Sequence, residues 1–442
     1  MTTTLTGPRT SVPPEHSVSR DGFVDTLRVF AIVLVVLQHW LMPVIAYKDG
    51  QLHTGNALSA DLGWMITWIS QVMPLIFFAG GAAAAISLRR RRAQGAVSDS
   101  GWVADRVRRL AVPVLGLAAV WLPGPHLLLT LGVPAEPVIT AARLVGALLW
   151  FLAAYVLITM ASPLMLRLAD TWRGREVAVL ALGAVVVDVL RFSTDASWLG
   201  YANVILIWGA VHQFGVHYGS GRLTAVRGRR ALALAAAGFT GTALAVTFGP
   251  YPLSMIGMPG DAVSNMNPPA AVLLALAAGQ LGLALWMRPM ITLWAARRPV
   301  ARGLSRASSS AMTIYLWHTP ALVLVAGVAV LGFGQHTPEP GSGMWFTQLP
   351  LWLTLLSVML IVLVRLAARV ERFVLPSAPV APAQVVGASL LVAFGLLGLT
   401  LNGFRPDLAA PIVATVAIAA GVLLLGAPLT WSSQARTGRL SA

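Results

Sequence analysis

The stretch that decides the fold is Val24-Asp25-Thr26-Leu27-Arg28-Val29-Phe30-Ala31-Ile32-Val33-Leu34-Val35-Val36-Leu37-Gln38-His39-Trp40. Its polar residues sit at the two ends, and the centre from Val29 to Leu37 is unbroken apolar sequence. The run carries on to about residue 46 and so exceeds the ~20 residues that cross a bilayer as a helix at ~1.5 Å per residue. Similar runs recur along the chain, continuous rather than alternating, which favours helices over barrel strands. Taken with the charged breaks between them, they predict about twelve spans. These lie near 24–46, 63–88, 110–131, 145–166, 177–190, 202–219, 231–249, 269–287, 308–333, 348–368, 383–402 and 409–428. The expected fold is an all-α polytopic membrane bundle, a ten-helix core followed by two C-terminal helices.

Composition agrees. Of 442 residues, 57% are hydrophobic and only 11% charged, where a soluble domain carries about a quarter charged. The net charge of +15 suggests nucleic acid at first, but no aromatic-basic module accompanies it. The arginines instead cluster in alternate loops: Arg89 to Arg92 with Arg106, Arg108 and Arg109; Arg222 to Arg230; and Arg297 to Arg306. Lys48, Arg143, Arg191 and Arg405 are the basic residues left on the other side. Under the positive-inside rule this sets both termini in the cytoplasm, as expected of a multi-pass protein of the plasma or inner membrane.

Several chemistries are excluded. With no cysteine there is neither disulfide nor thiol nucleophile. The sole lysine, Lys48, falls in an outer loop, which removes a P-loop and makes Schiff-base chemistry improbable. Neither a Gly-x-Ser-x-Gly elbow nor a zinc-binding His-Glu-x-x-His is present. His212 and His217, five apart, do not have the spacing of paired ligands on a helix, so no metal is expected. The first apolar run is too long for a signal peptide and follows a polar stretch.

Residues 1–20 read as a disordered cytoplasmic tail, 21–375 as the main transmembrane domain, 376–432 as two additional helices, and 433–442 as a cytoplasmic tail. Pro376, Pro379 and Pro382 mark the break before the last pair. That pair holds almost no polar side chains and reads as packing or oligomerisation helices, dispensable for catalysis.

Arg28 and His39 are eleven positions apart, close to three whole turns. They therefore share one helix face, roughly 16 Å apart along the axis. Asp25, one turn before Arg28, is placed to brace the guanidinium. A histidine deep in a membrane suits general-base work, although alone it reads better as hydrogen-bonding glue between helices. Arg28 in register favours chemistry. Asp188, near an outer helix end, is expected to face water.

The Arg-x10-His pattern resembles the signature of the membrane acyltransferase family 3. Further elements follow in order. Met73-Pro74-Leu75-Ile76-Phe77-Phe78-Ala79-Gly80-Gly81 is similar to the family's Phe-rich second span, with Ala79 where Ser is common. Arg106-Val107-Arg108-Arg109-Leu110-Ala111-Val112-Pro113 resembles its entry to the third span, and Trp150-Phe151-Leu152 its fourth. Thr313-Ile314-Tyr315-Leu316-Trp317-His318-Thr319-Pro320 resembles a late Tyr-Leu-x-His-x-Pro element. The stretch from Ser264 to Pro269 looks like actinobacterial members.

The resemblance implies an O-acyltransferase that moves a short acyl group, acetyl foremost, from cytoplasmic acyl-CoA to a hydroxyl of a carbohydrate, glycolipid or similar acceptor. His39 would be the base, and Arg28, Arg106 and Arg109 would hold the CoA phosphates, for which guanidinium forks are suited. Tyr315 and His318 would bind substrate. Acyl-CoA would be a donor substrate, with no permanent cofactor. The rival reading is a proton-coupled secondary transporter built on the same His39 and Arg28. A single-histidine membrane O-acyltransferase of the other large family is disfavoured by the place of His39 in the first span.

Orientation is testable directly. Reporter fusions at Gly95 and Ala225 are expected to score cytoplasmic, and those at Gly55 and Pro340 external. A fusion at Gly95 scoring external would reverse the orientation.

Overall fold

The computed structural model describes residues 21–59, 62–257, 263–370 and 380–426. The expected tails at 1–20 and 433–442, and the proline break through Pro379, lie outside these residues.

The chain begins with α1 (Gly22–Leu41), followed by a hairpin of β1 (Pro43–Lys48) and β2 (Gln51–Asn56). Next come α2 (Gly63–Ser70), α3 (Met73–Ala93), α4 (Ser100–Trp121), α5 (Pro123–Thr130), α6 (Ala135–Ala147) and α7 (Leu149–Trp172). After these stand α8 (Arg175–Ser193), α9 (Asn203–Gly219), α10 (Arg229–Phe248) and α11 (Val272–Ala295). The last four are α12 (Arg298–Gly327), α13 (Gly343–Val370), α14 (Pro382–Asn402) and α15 (Ala410–Leu424).

The protein is thus a polytopic helical membrane bundle with almost no sheet. Among the described residues, ten helical stretches are long and apolar enough to cross a membrane, with α2–α3, α4–α5 and α6–α7 each counting once. Two expected spans fall short of that measure. The segment near 177–190 is α8, which carries Glu176, Asp188 and Arg191; that near 409–428 is α15, of only 15 residues.

The first span also ends sooner than its hydropathy suggests. Pro43 cannot donate to the preceding turn, so the helix stops at Leu41 and residues 43–48 pair with 51–56 as a hairpin. Asp49 and Gly50 turn it with φ of 52° and 77°, the positive values that an Asp-Gly hairpin turn takes.

Close packing relies on small residues, as expected where lipid is as apolar as the helices. At the α3–α9 crossing, a Cβ on Gly81 would lie 1.9 Å from the His212 carbonyl oxygen, and one on Gly215 2.0 Å from that of Phe78. Only glycine permits this approach, while the neighbouring Gly80 faces α7, where a Cβ would lie 2.6 Å from the Tyr155 hydroxyl oxygen.

The C-terminal helices are integrated in the bundle. On α14, Val392, Leu396 and Leu399 are completely buried in the cluster that includes Leu117 of α4 and Leu149 and Leu152 of α7. Ending the chain at Ser377 would replace this packing with lipid, at a cost set by lost dispersion contacts rather than by exposure to water. Such a truncation is expected to lower the thermal midpoint in detergent while α1, α3 and α12 still assemble. An unchanged midpoint would show that α14 contributes nothing to the bundle's stability.

Candidate active site

α1 is fixed at its start by Asp21, whose Oδ1 accepts from the amides of Phe23 and Val24 while Tyr218 of α9 donates its hydroxyl to Oδ2 at 3.0 Å. From there α1 carries Arg28, Gln38 and His39 along one wall of a cavity of about 310 Å³. Other walls come from Met73 and Ile76 of α3, Phe151 and Tyr155 of α7, and Met312 and Tyr315 of α12. Ser70, Gln71 and the segment carrying Ile256, Gly257 and Met266 line it as well.

That last segment is tied down by buried polar groups. Gln71 donates to the Met255 carbonyl at 2.8 Å, the Met255 amide to Thr67 Oγ1 at 2.9 Å, and Asn265 to the carbonyls of Pro252 and Ser254. The segment's ends are held by Asp188, which overturns the expectation that this residue faces water. Asp188 is 2% exposed; it pairs with Arg191 and accepts from Asn203, Tyr251 and the Ala271 amide at 2.6–2.9 Å. A carboxylate that far from water must be partnered, and here its partners lie on α8, at the start of α9, in the loop and at the start of α11.

The deciding geometry is on α12. His318 Nδ1 lies 2.6 Å from the Tyr315 carbonyl oxygen, and its Nε2 lies 2.9 Å from His39 Nδ1. A carbonyl only accepts, so His318 Nδ1 must carry a proton. In a neutral ring its Nε2 is then an acceptor, so His39 donates through Nδ1. This leaves His39 Nε2 with its lone pair, on a side chain that lines the cavity. The two rings stack at 5.1 Å and 20°, and Trp40 Nε1 donates to the His318 carbonyl at 3.0 Å. His318 is wholly buried and lies behind His39, not on the cavity wall. Tyr315 presents its ring to the cavity while its hydroxyl donates to the Leu148 carbonyl at 2.5 Å.

The arginines divide by partner. Arg89 and Arg222 meet Asp170, Arg92 meets Asp99, and Arg91 meets Asp105. Arg28, Arg106 and Arg109 have no carboxylate partner among the described residues, and Arg106 stands near enough to both of the others to feel their charges. Arg106 donates to Ser87 at 3.0 Å and lies over the Trp102 ring. Arg108 is buried, while Arg109 is exposed.

The acyltransferase family 3 model, described as an acyltransferase domain, matches residues 21–370. The chain belongs to that family. It is therefore a membrane acyltransferase, which displaces the transporter reading. No curated protein and no solved structure matches the chain. The acyltransferase match covers α1 through α13 and so contains both histidines and the cavity.

The His39–His318 pairing was not visible in the sequence, since the residues are 279 positions apart. Nor was Glu176, which accepts from Gln213 at 3.0 Å and lies 2.5 Å from His217 Nε2 at the arginine-rich end.

Replacing His318 tests the pair. His318→Phe fills the space but strands the His39 Nδ1–H, so a loss of about 1–3 kcal/mol of stability is expected, together with reduced turnover. His318→Gln offers a carbonyl oxygen to the same proton and is expected to recover part of the turnover. Equal turnover in the Phe and Gln variants would deny the accepting role of His318.

Proposed function

We propose that this acyltransferase moves a short acyl group, acetyl foremost, from cytoplasmic acyl-CoA to a hydroxyl of a carbohydrate, glycolipid or similar acceptor in the cell membrane. The observation that carries the reading is the state of His39: Nδ1 engaged by His318 at 2.9 Å, and a side chain on the wall of the cavity that Arg28 also lines.

In this reading His39 Nε2 takes the proton of the acceptor hydroxyl as its oxygen attacks the thioester carbonyl. The tetrahedral intermediate collapses, the C–S bond breaks, and the CoA thiolate recovers the proton from His39. No acyl-enzyme is needed. His318 acts as a positioning residue, holding the tautomer in which the front nitrogen is basic.

The donor enters from the arginine-rich end. A cavity of about 310 Å³ is small against a whole CoA, so only the acyl-pantetheine arm enters it. The phosphates remain with Arg28, Arg106 and Arg109, whose charges no carboxylate cancels among the described residues. The acceptor hydroxyl comes to His39 from the opposite end, beside Gln38, Ser70 and Gln71.

Kinetics separate the roles. His39→Ala is expected to lower thioester turnover by about 10²–10⁴ while still binding acyl-CoA. Arg28→Ala is expected to weaken acyl-CoA binding by on the order of 1.5–3 kcal/mol, and the exposed Arg109→Ala by less. Lysine at either position restores binding only in part, being a point charge without the planar fork. Arg91→Ala, which removes a residue already paired with Asp105, serves as control. Equal loss of affinity in Arg91→Ala and Arg109→Ala would reduce the effect to general positive charge, and a stable His39→Ala with full turnover would sink the base.

A further inference from the structure

A second cavity, of about 390 Å³, lies on the other side of α1 and shares no lining residue with the first. His39 lines one and its neighbour Trp40 the other. The second cavity forms where the end of α12 and the start of α13 meet the β-hairpin, at the end of the bundle away from the arginine clusters.

Its rim is built rather than incidental. The last turn of α12 runs into a π-helical stretch, Val328–Gly332, a widening that often accompanies function. The Gln335 amide donates to the Ala329 carbonyl at 2.9 Å and closes that turn. Thr337 then joins the hairpin like a third strand: its amide donates to the Ile45 carbonyl at 2.9 Å, and Ile45 donates to Thr337 Oγ1 at 3.0 Å. Trp352 Nε1 donates to the Trp40 carbonyl at 3.0 Å, fixing the back wall.

The lining has two halves. Trp40, Trp345 and Trp352 supply indole surface, and Gln335, His336 and Gln348 supply donors and acceptors. Those three polar side chains and Trp345 Nε1 make no hydrogen bond among the described residues. The other half is aliphatic, from Ala326, Ala329, Leu351 and Leu355, and the two leucines are 63% and 46% exposed on a membrane-facing helix. Among the described residues, no Asp, Glu, Lys or Arg lines the cavity.

We propose that this cavity binds a neutral glycolipid: an uncharged, hydroxyl-rich headgroup against the indoles, carboxamides and imidazole, with a hydrocarbon tail along α12 and α13. Tryptophan collects at the membrane interface because one end of the indole is apolar and the other donates. Carboxamide and imidazole both donate and accept, matching hydroxyls that do the same. The absent charges select against phospholipid headgroups, whose phosphate would be left without a cation. The aliphatic half opens to lipid, so the ligand arrives from the membrane. The proposal does not depend on the acyl-transfer mechanism, since its test reads binding alone.

The test uses the full chain in phosphatidylcholine nanodiscs and two probes with the same diazirine-bearing alkyl chain, dodecyl glucoside and phosphatidylglycerol. After irradiation, labelled peptides are mapped by mass spectrometry. The glucoside is expected to label residues 326–355 at least ~5-fold more than the anionic probe. On the wild-type chain, excess unlabelled dodecyl glucoside is expected to suppress this labelling, and dodecylphosphocholine to leave it. The double variant Trp345→Ala with Gln348→Leu is expected to reduce it to the level of the anionic probe. Equal labelling by both probes, or equal competition by both detergents, would show ordinary boundary lipid and overturn the proposal. So would glucoside labelling that the double variant leaves unchanged.

Discussion

The hydrogen bond between His39 Nδ1 and His318 Nε2, 2.9 Å long, is the constraint on which the centre of this molecule turns. It joins α1, which carries Arg28, to α12, which carries Tyr315, inside a bundle whose other contacts are largely non-directional. Apolar packing would tolerate small rotations of α1. The imidazole pair does not, because a rotation that separated the rings would take the wholly buried His318 Nε2 from its partner. Trp40, donating to the His318 backbone, locks the same two helices one residue further along, so the register of α1 against α12 is set by two directional contacts in succession.

The same logic recurs at the bundle's two ends. Asp188 collects four partners from four places in the chain, and Glu176 collects Gln213, His217 and the Gly174 amide. Neither carboxylate lines the cavity. Each ties α8 to α9, a pair whose glycines Gly183 and Gly209 make only ordinary contacts. Interhelical hydrogen bonds in membranes average well under about 2 kcal/mol each, so these nodes matter less as sources of stability than as fixed points. Through Asp188 that fixity extends to the segment bearing Ile256 and Gly257, which closes one end of the cavity.

The bundle was legible in the sequence because hydropathy and arginine placement are local signals, and so was the family, carried by short motifs in order. The register of Arg28 with His39 follows from helical arithmetic, and both residues do line one cavity. What the sequence could not give depended on distant partners. Asp188 looked like a water-facing residue because it lies near an outer helix end; Tyr251 and Ala271, which bond to it, lie far along the chain. His318 was expected to contact substrate from the family motif it resembles; the structure pairs it with His39 and leaves it off the cavity wall. The hairpin after α1 was legible in retrospect: Pro43 ends a helix and Asp49-Gly50 makes a turn, but the apolar residues between them read as more span.

Charge explains how a chain so rich in arginine keeps a discriminating site. Cations that only anchor a loop are best neutralised, as Arg89, Arg91, Arg92 and Arg222 are by Asp170, Asp105 and Asp99. On the proposed reading, cations that hold a polyphosphate instead repel one another in its absence. Arg106 stands within reach of the like charges of both Arg28 and Arg109. The repulsion is tolerable because Arg106 rests on the Trp102 ring and on Ser87, contacts that hold its direction without cancelling its charge. Any carboxylate introduced among the three would stabilise the empty site and weaken its hold on an anion.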